Sequence, residues 1–412
     1  MLKDIGQRAK NASYELAGLS TIDKNNILLK LKENLDKYRD DILEANKLDM
    51  ESGKQDGLTD ALLDRLYIDN ERIDGMIGSI DVVIELKDPI GNTKELNRLP
   101  NGLLIGRRTV PMGVIGIIYE ARPNVTLDTS ILCLKSSNVL ILRGGKEAIN
   151  TNIAISKIIR LTISELGFNP DFIQLIEDTS RESANALMQL NDYLDLLIPR
   201  GSSGLIKAVV ENSTVPVLET GSGNCHVYID ETADVEMALN IIKNAKTQRT
   251  GVCNAMESLL VHESLGDDFY TGLQKIVDDF KIAVHSDEKS LELIKGSTPA
   301  TEEDYYTEYL DLEFSMKIVK DIDEAIDCIR KYSSGHSEVI VTENYENSLK
   351  FLDRVDSACV YVNASSRFTD GGEFGMGAEM GISTQKLHAR GPIGLEELTS
   401  SKFVILGNGQ VR

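Results

Sequence analysis

The 412-residue chain has no tryptophan, nine prolines and five histidines. The histidines (His226, His262, His285, His336 and His388) show no ligand spacing such as i, i+4. Cys225 and His226 are adjacent and so face different ways, and no metal site is expected. The five cysteines, Cys133, Cys225, Cys253, Cys328 and Cys359, are odd in number and scattered, with no CxxC pair. That excludes a zinc ribbon or a disulfide framework. Basic residues are scarce: 44 Lys plus Arg stand against 65 Asp plus Glu, a net charge of −21. So acidic a surface repels phosphate backbones and anionic lipid, so neither nucleic acid nor membrane is an expected partner. No apolar run approaches the roughly 20 residues that span a bilayer. Met1 to Lys10 has no apolar h-region, so no secretory signal is read there. A reducing cytoplasm is the expected compartment, where each thiol stays reduced and any one is available as a nucleophile.

What is present reads as an ordinary globular chain, 42% hydrophobic and 26% charged, long enough for two or three domains. Leu28, Leu31, Leu35, Tyr38 and Ile42 step by three and four, and Leu62 to Ile80 continues the style. The first ninety residues are therefore expected to be a helical cover packed on another layer. From Pro100 the texture changes. Leu103 to Val110, with Arg107 and Arg108, reads as an exposed extended arm. Strands are expected at Gly113–Tyr119, Val139–Leu142, Ile173–Ile176, Tyr193–Ile198 and Val215–Leu218. Helices alternate with them, to about Ser136, over Ala148–Leu166, near Arg181–Leu190, and after Gly201-Ser202-Ser203-Gly204. Short continuous apolar strands alternating with helices predict a parallel sheet covered on both faces. Its ligands belong beyond the strand C-termini. A second α/β block runs from about Val227 to Val362, with strands near Ser258–Val261, Phe314–Ile318, Glu338–Val341 and Val360–Val362. Asp370 to Gly394 holds seven glycines and is a candidate functional loop. Phe403 to Leu406 is a short terminal strand.

Cys253 lies in Thr250-Gly251-Val252-Cys253-Asn254-Ala255, after the basic helix end Lys243, Lys246, Arg249. Basic neighbours and free amides lower a thiol pKa; a small buried hydrophobe is the plainer role for the same residue. Cys133, Cys328 and Cys359 fall in apolar patterns and are assigned to the core, with Cys225 intermediate. Glu219 closes an expected strand, placed as a general base or as a cap. Arg143-Gly144-Gly145-Lys146 and Gly201-Ser202 are two strand-to-helix loops at one sheet edge. Glycine there permits a tight crossover, and cations or helix N-termini meet phosphate. Neither is a GxGxxG fingerprint, but two on one edge point to a dinucleotide. The cation Arg143, where an NAD site often has a carboxylate, favours NADP.

Together the motifs resemble the aldehyde dehydrogenase superfamily and, within it, the gamma-glutamyl phosphate reductase family. The matching stretches are Val110-Pro111-Met112-Gly113-Val114-Ile115-Gly116, Tyr119-Glu120-Ala121-Arg122-Pro123-Asn124, Leu142-Arg143-Gly144-Gly145-Lys146-Glu147 and Pro199-Arg200-Gly201. Further matches are Glu219-Thr220-Gly221-Ser222-Gly223-Asn224-Cys225-His226, Gly251 to Glu257, Gly371 to Glu379 and Gln385 to Pro392. The resemblance implies an α/β fold of three parts. A parallel-sheet NADP-binding domain spans 1–100 and 111–220. An α/β catalytic domain carrying Cys253 spans 221–395. A β-arm for oligomerisation spans 101–110 and 396–412. It implies Cys253 as nucleophile, Asn124 in the oxyanion hole and Glu219 as the carboxylate that activates water in hydrolytic members. Arg143, Gly144, Lys146, Gly201 and Ser202 fall to NADPH. The implied reaction is reduction of L-glutamyl 5-phosphate in proline biosynthesis, by a homo-oligomer associated with glutamate 5-kinase; the alternatives are a hydrolytic NAD(P)-dependent aldehyde dehydrogenase and an inactive binding protein of the same fold. On that reaction, Arg122 and Arg200 are candidates for the phosphate leaving group, and His388 for substrate contact.

Overall fold

Five helices open the chain in the computed structural model, which describes residues 2–412: Leu2–Leu16, Thr21–Lys37, Arg39–Gln55, Asp60–Leu66 and Asn70–Glu85. Side-chain oxygens start three of them. Ser20 and Asp23 form a capping box, Thr59 accepts from the Leu62 N–H, and Asp69 from the Arg72 N–H. Their apolar faces pack inward with Ile27, Leu28, Leu31, Leu35 and Ile42 fully buried. Buried polar groups tie the cover to the layer beneath. Lys24, 1% exposed, pairs with Asp88 at 2.5 Å and donates to the Lys135 carbonyl at 3.0 Å.

The first unit of the molecule comprises the chain up to Thr220 with Gly375–Gly381 and Ile393–Arg412; the second comprises Gly221–Phe374 and Ile382–Pro392. In the first, β1 (Thr93–Arg98) and β2 (Leu104–Pro111) are antiparallel. They are followed by β3 (Val114–Tyr119), β4 (Val139–Gly144), β5 (Ile173–Leu175) and β6 (Leu196–Arg200), a parallel sheet in the order β5-β4-β3-β6. β3 is buried on both faces, as its unbroken apolar run requires.

The second unit has β7 (Cys225–Ile229), β8 (Met256–His262), β9 (Ala283–Ser286), β10 (Thr298–Pro299), β11 (Glu313–Val319), β12 (Ser337–Val341) and β13 (Cys359–Val362). They form a second parallel sheet, ordered β10-β9-β11-β8-β7-β12-β13. Alternate residues feed opposite layers. Val227, Ile229, Leu259, Val261, Val339 and Val341 pack with helices Val235–Thr247 and Asp267–Phe280. Tyr228, Leu260 and Ile340 pack with Ile322–Tyr332 and Phe351. A short antiparallel pair, β14 (Ile382–Ser383) and β15 (Gly391–Pro392), follows. The last strand, β16 (Thr399–Leu406), returns to the first unit and pairs with β2.

Several expectations are corrected. Val215–Leu218 is no ladder strand; it makes one parallel bridge, Leu197 to Val217. Pro216 has no N–H with which to extend the pairing. The strand expected at Tyr193–Ile198 begins at Leu196, because the Tyr193 and Leu194 N–H groups turn back to the Leu190 carbonyl. β7 and β9, neither of them an edge strand, had no counterpart among the expected strands. The arm strand β2 offers no edge, since β1 and β16 flank it; those two are the outer strands. Segments 375–381 and 393–395 fold with the first unit. There the Met380 N–H donates to Ile393 O at 2.8 Å and the Ile393 N–H to Gly381 O at 2.7 Å.

Candidate active site

In the first unit the chain passes from β3 to β4 and β5 on one side, then returns to β6 on the other. The reversal falls between β3 and β6, where the carboxyl ends of an open parallel sheet form a ligand crevice. Glu120 and Arg122 follow β3, and Gly201 and Ser202 follow β6. Ser202 caps helix Ser203–Asn212. Its N–H donates to Glu120 Oε2 at 2.7 Å, and a Cβ on Gly201 would lie 2.4 Å from that oxygen. The helix N-terminus thus already holds an anionic oxygen, as its amides and dipole favour. Glu120 was not among the expected site residues.

At the end of β4, Arg143 is half-buried. Its Nη2 donates to the Thr179 carbonyl at 2.6 Å and the Ser180 carbonyl at 2.8 Å, while its buried Nε has no partner. Burial holds its pKa below the ordinary guanidinium value. Gly144 serves packing: a Cβ there would lie 2.3 Å from Asn152 Nδ2. Lys146 is exposed and pairs with Asp56 at 2.9 Å, a weak surface contact. Asn124 opens helix Asn124–Lys135 and donates to Asp128 Oδ2 at 2.9 Å. Burial pushes the Asp128 carboxyl up to about 6, opposed by the Asn124 hydrogen bond and the Arg200 charge. Arg200 packs on the Gly381 backbone, where a Cβ would lie 2.7 Å from its Nη1. Arg122 and Glu219 are half-buried, Glu219 in the loop after the Val217 bridge.

In the second unit Cys253 lies three residues before β8, at the amino edge of its sheet, on a turn closed by the Ala255 N–H to the Val252 carbonyl at 3.1 Å. It is the half-exposed cysteine; Cys133, Cys225, Cys328 and Cys359 are buried. The loop Gly221–Asn224 lies against it. A Cβ on Gly223 would fall 1.4 Å from the Cys253 carbonyl oxygen. The Gly223 N–H donates to Glu308 Oε1 at 2.7 Å, and Asn224 Nδ2 to the Tyr305 and Tyr332 carbonyls. Cys225 donates its S–H to the Cys253 carbonyl at 3.1 Å. Burial, then the charge of Glu338, pushes the Cys225 thiol up, which favours its S–H form. On the other flank, Asn254 Nδ2 donates to the Arg367 and Thr369 carbonyls at 3.3 and 2.9 Å, and Ser366 Oγ to Asn254 O at 2.7 Å. Beneath, fully buried Lys246 and Glu257 pair at 2.7 Å, bracing the helix end to β8. Burial pushes the Glu257 carboxyl up to about 8, Lys246 opposing.

Gly223, Cys225, Asn254 and Lys246 were not picked out as site residues from the sequence; a glycine-bounded Gly221-Ser222-Gly223 is the one local signal. His388 is exposed, its carbonyl accepting from Gln385 Nε2 at 3.1 Å. Among the described residues no three His, Cys, Asp or Glu side chains gather as a metal site, and no helix is long and apolar enough to cross a membrane.

A switch-point parallel sheet, and a half-exposed cysteine on a glycine-packed turn before a strand of a second sheet, define the aldehyde dehydrogenase class; the model of the aldehyde dehydrogenase family matches residues 2–292. A gamma-glutamyl phosphate reductase of Clostridium perfringens is 56% identical over 407 residues, 99% of this chain and 98% of that protein. The crystal structure of the Thermotoga maritima gamma-glutamyl phosphate reductase is 49% identical, with a TM-score of 0.97 over 99% of each chain. The chain therefore belongs to the aldehyde dehydrogenase family and, within it, to the gamma-glutamyl phosphate reductases. An engineered glycolyl-CoA reductase with bound NADP+, 17% identical, has a TM-score of 0.71 over 98% of this chain and 96% of that one, and shares the fold.

Proposed function

We propose that this oxidoreductase reduces L-glutamyl 5-phosphate to L-glutamate 5-semialdehyde and phosphate with NADPH, through a thioester on Cys253, in cytoplasmic L-proline biosynthesis. The observation that carries the chemistry is Cys253 itself, the half-exposed thiol on a turn braced from both flanks. Its thiolate attacks the acyl carbon. The oxyanion that forms is met by the Cys253 backbone N–H, a donor of a kind worth about 3–4 kcal/mol of barrier; Asn124 is carried over as a second donor. The bond from the acyl carbon to the phosphate oxygen breaks, phosphate leaves with the electron pair, and a thioester remains.

The residues at the carboxyl edge of the first sheet fit a dinucleotide. The Ser202 N–H already accommodates an anionic oxygen, and Arg143 is a cation with an unpartnered Nε. Arg143 would meet the ribose 2′-phosphate and Gly201-Ser202 the pyrophosphate, with Glu120 yielding its place; Gly144 and Lys146 shape that edge. When bound, NADPH contributes hydride donation. Glu219 is not assigned to water, because water at the thioester would waste the substrate; it takes the thiol proton or holds its own loop. Arg122, Arg200 and His388 are assigned to substrate.

Two associations belong to the same proposal. Self-association runs through β16, where Phe403, Ile405 and Leu406 are 67, 56 and 57% exposed, and glutamate 5-kinase delivers the acyl phosphate. The deciding experiment is oxidation of glutamate semialdehyde with phosphate and each cofactor varied. Turnover is expected to require phosphate or arsenate and to favour NADP+. Full activity without phosphate would assign the chain to the hydrolytic aldehyde dehydrogenases instead.

A further inference from the structure

The second unit has five arginines. Three of them pair with aspartates: Arg330 with Asp327, Arg354 with Asp323 and Arg390 with Asp356. The other two, Arg249 and Arg367, are in no ion pair among the described residues, although the chain as a whole carries 65 acidic residues against 44 basic ones. Those two flank the nucleophile. Arg249 is exposed and four residues before Cys253. Arg367 is held to the Cys253 turn by the residue after the cysteine: Asn254 Nδ2 donates to its carbonyl at 3.3 Å, and its neighbour Ser366 donates to the Asn254 carbonyl at 2.7 Å.

The Arg367 side chain is half-buried, and its Nε donates to the neutral Gln248 Oε1 at 3.1 Å. That contact spends one edge of the fork and leaves both Nη groups without a carboxylate. Asp370 is the nearest acidic candidate on the same segment, but its Oδ1 accepts the Gly372 N–H at 2.8 Å and the Glu373 N–H at 3.3 Å. Burial and the like charge of Arg249 hold the Arg367 pKa below its ordinary value, while Cys253 and Asp370 oppose them. A half-buried guanidinium kept beside a second cation, in an acidic protein, is costly unless an anion completes it.

We infer that Arg367, assisted by Arg249, is the phosphate subsite of the reaction, binding the phosphate that leaves the acyl carbon when Cys253 attacks it. The inference rests on the acyl-phosphate reading above. In the forward direction, the thiolate forms the C–S bond and the C–O bond to phosphate breaks. The leaving dianion takes the electron pair onto an oxygen facing the guanidinium fork. In reverse, a phosphate oxygen attacks the thioester carbon and the thiolate departs with the C–S pair. Two parallel N–H donors fit that dianion better than an ammonium point charge.

The test is the oxidative reaction on Arg367→Lys, Arg367→Gln and Arg249→Gln, read as the apparent KM for phosphate. A second reading is the burst of NADPH, one per active site, formed before phosphate is added. The Arg367 variants are expected to raise the phosphate KM about ten- to a hundredfold, with the burst still formed. Exposed Arg249→Gln, which does not threaten the fold, is expected to raise it by a smaller factor. An unchanged phosphate KM in all three overturns the inference. So does a raised KM in Arg122→Lys with none in Arg367→Lys, or a variant whose sole change is the pH profile of Cys253 alkylation. Wild-type turnover with no phosphate at all refutes the acyl-phosphate reading instead, so the two failures are told apart.

Discussion

Gly223→Ala is the sharpest test of how the Cys253 turn is held. The new Cβ would stand 1.4 Å from the Cys253 carbonyl oxygen, 2.3 Å from its carbonyl carbon and 2.7 Å from its Cα. All three are backbone atoms, so no side chain can swing clear. Restoring an ordinary contact of 3.4 Å requires about 2 Å of movement (3.4 − 1.4). The Gly223 loop is poorly able to supply it, being tied to Glu308, Ser334, Tyr305 and Tyr332. The Cys253 turn must move instead. A misplacement of about 1 Å costs on the order of a hundredfold in rate, so kcat is expected to fall by at least about a hundredfold. Overpacking costs about 1–3 kcal/mol of stability. The assays are NADPH formation from glutamate semialdehyde and phosphate, the rate of Cys253 alkylation, and thermal unfolding. Gly204→Ala is the control: its nearest neighbour is Ser202 Oγ at 4.0 Å and it lies in a helix, so it gains up to about 1 kcal/mol. A Gly223→Ala enzyme with wild-type kcat and wild-type alkylation would show that the close approach does not set the thiol's position.

Cys253→Ala is expected to abolish turnover while NADPH binding, followed by fluorescence, persists; Cys225→Ala is expected to keep turnover but to lower stability by about 0.5–1.5 kcal/mol, the net worth of one lost hydrogen bond. A dead Cys225→Ala beside an active Cys253→Ala would reverse the assignment. Arg143→Glu is expected to weaken NADPH far more than NADH in titrations, and equal losses would remove the 2′-phosphate contact. Lys246→Met leaves Glu257 buried and unpaired, expected to cost about 3–5 kcal/mol in urea unfolding. The folded Glu257 pKa is raised from 4.5 to about 8, so its contribution is full below the unfolded value and is lost as pH rises toward 8. The variant's deficit should therefore be larger at pH 8.5 than at pH 6, and a deficit that shrinks with pH would exclude that burial effect. Removing residues 399–412, or Phe403→Glu, is expected to lower the mass seen by light scattering, and an unchanged mass would take the interface away from β16.

Much of the architecture was legible locally. β3 and the Val139–Leu142 part of β4 are short apolar runs, and burial on both faces demands nothing more specific. Ser20, Thr59 and Asp69, not singled out in the sequence, cap their helices through equally local contacts, each accepting from the N–H three residues on. The Cys253 motif and the strand-end loops stood out through residue type and spacing. Pairing across long sequence separation was not legible. Helix Ile149–Glu165 has Ala148 at its cap position, and its first N–H groups are taken by Asp49, about a hundred residues earlier. β2 looked like a free arm, yet β16 joins it from the far end of the chain. Glu120 meets Ser202 across 82 residues, and Asn254 meets Arg367 across 113. Composition and period report what a segment can bury. Which carboxylate fills a helix N-terminus, which glycine touches the Cys253 backbone and which arginine is left without a counter-ion were decided by the tertiary structure, because those contacts depend on distances that no local pattern encodes.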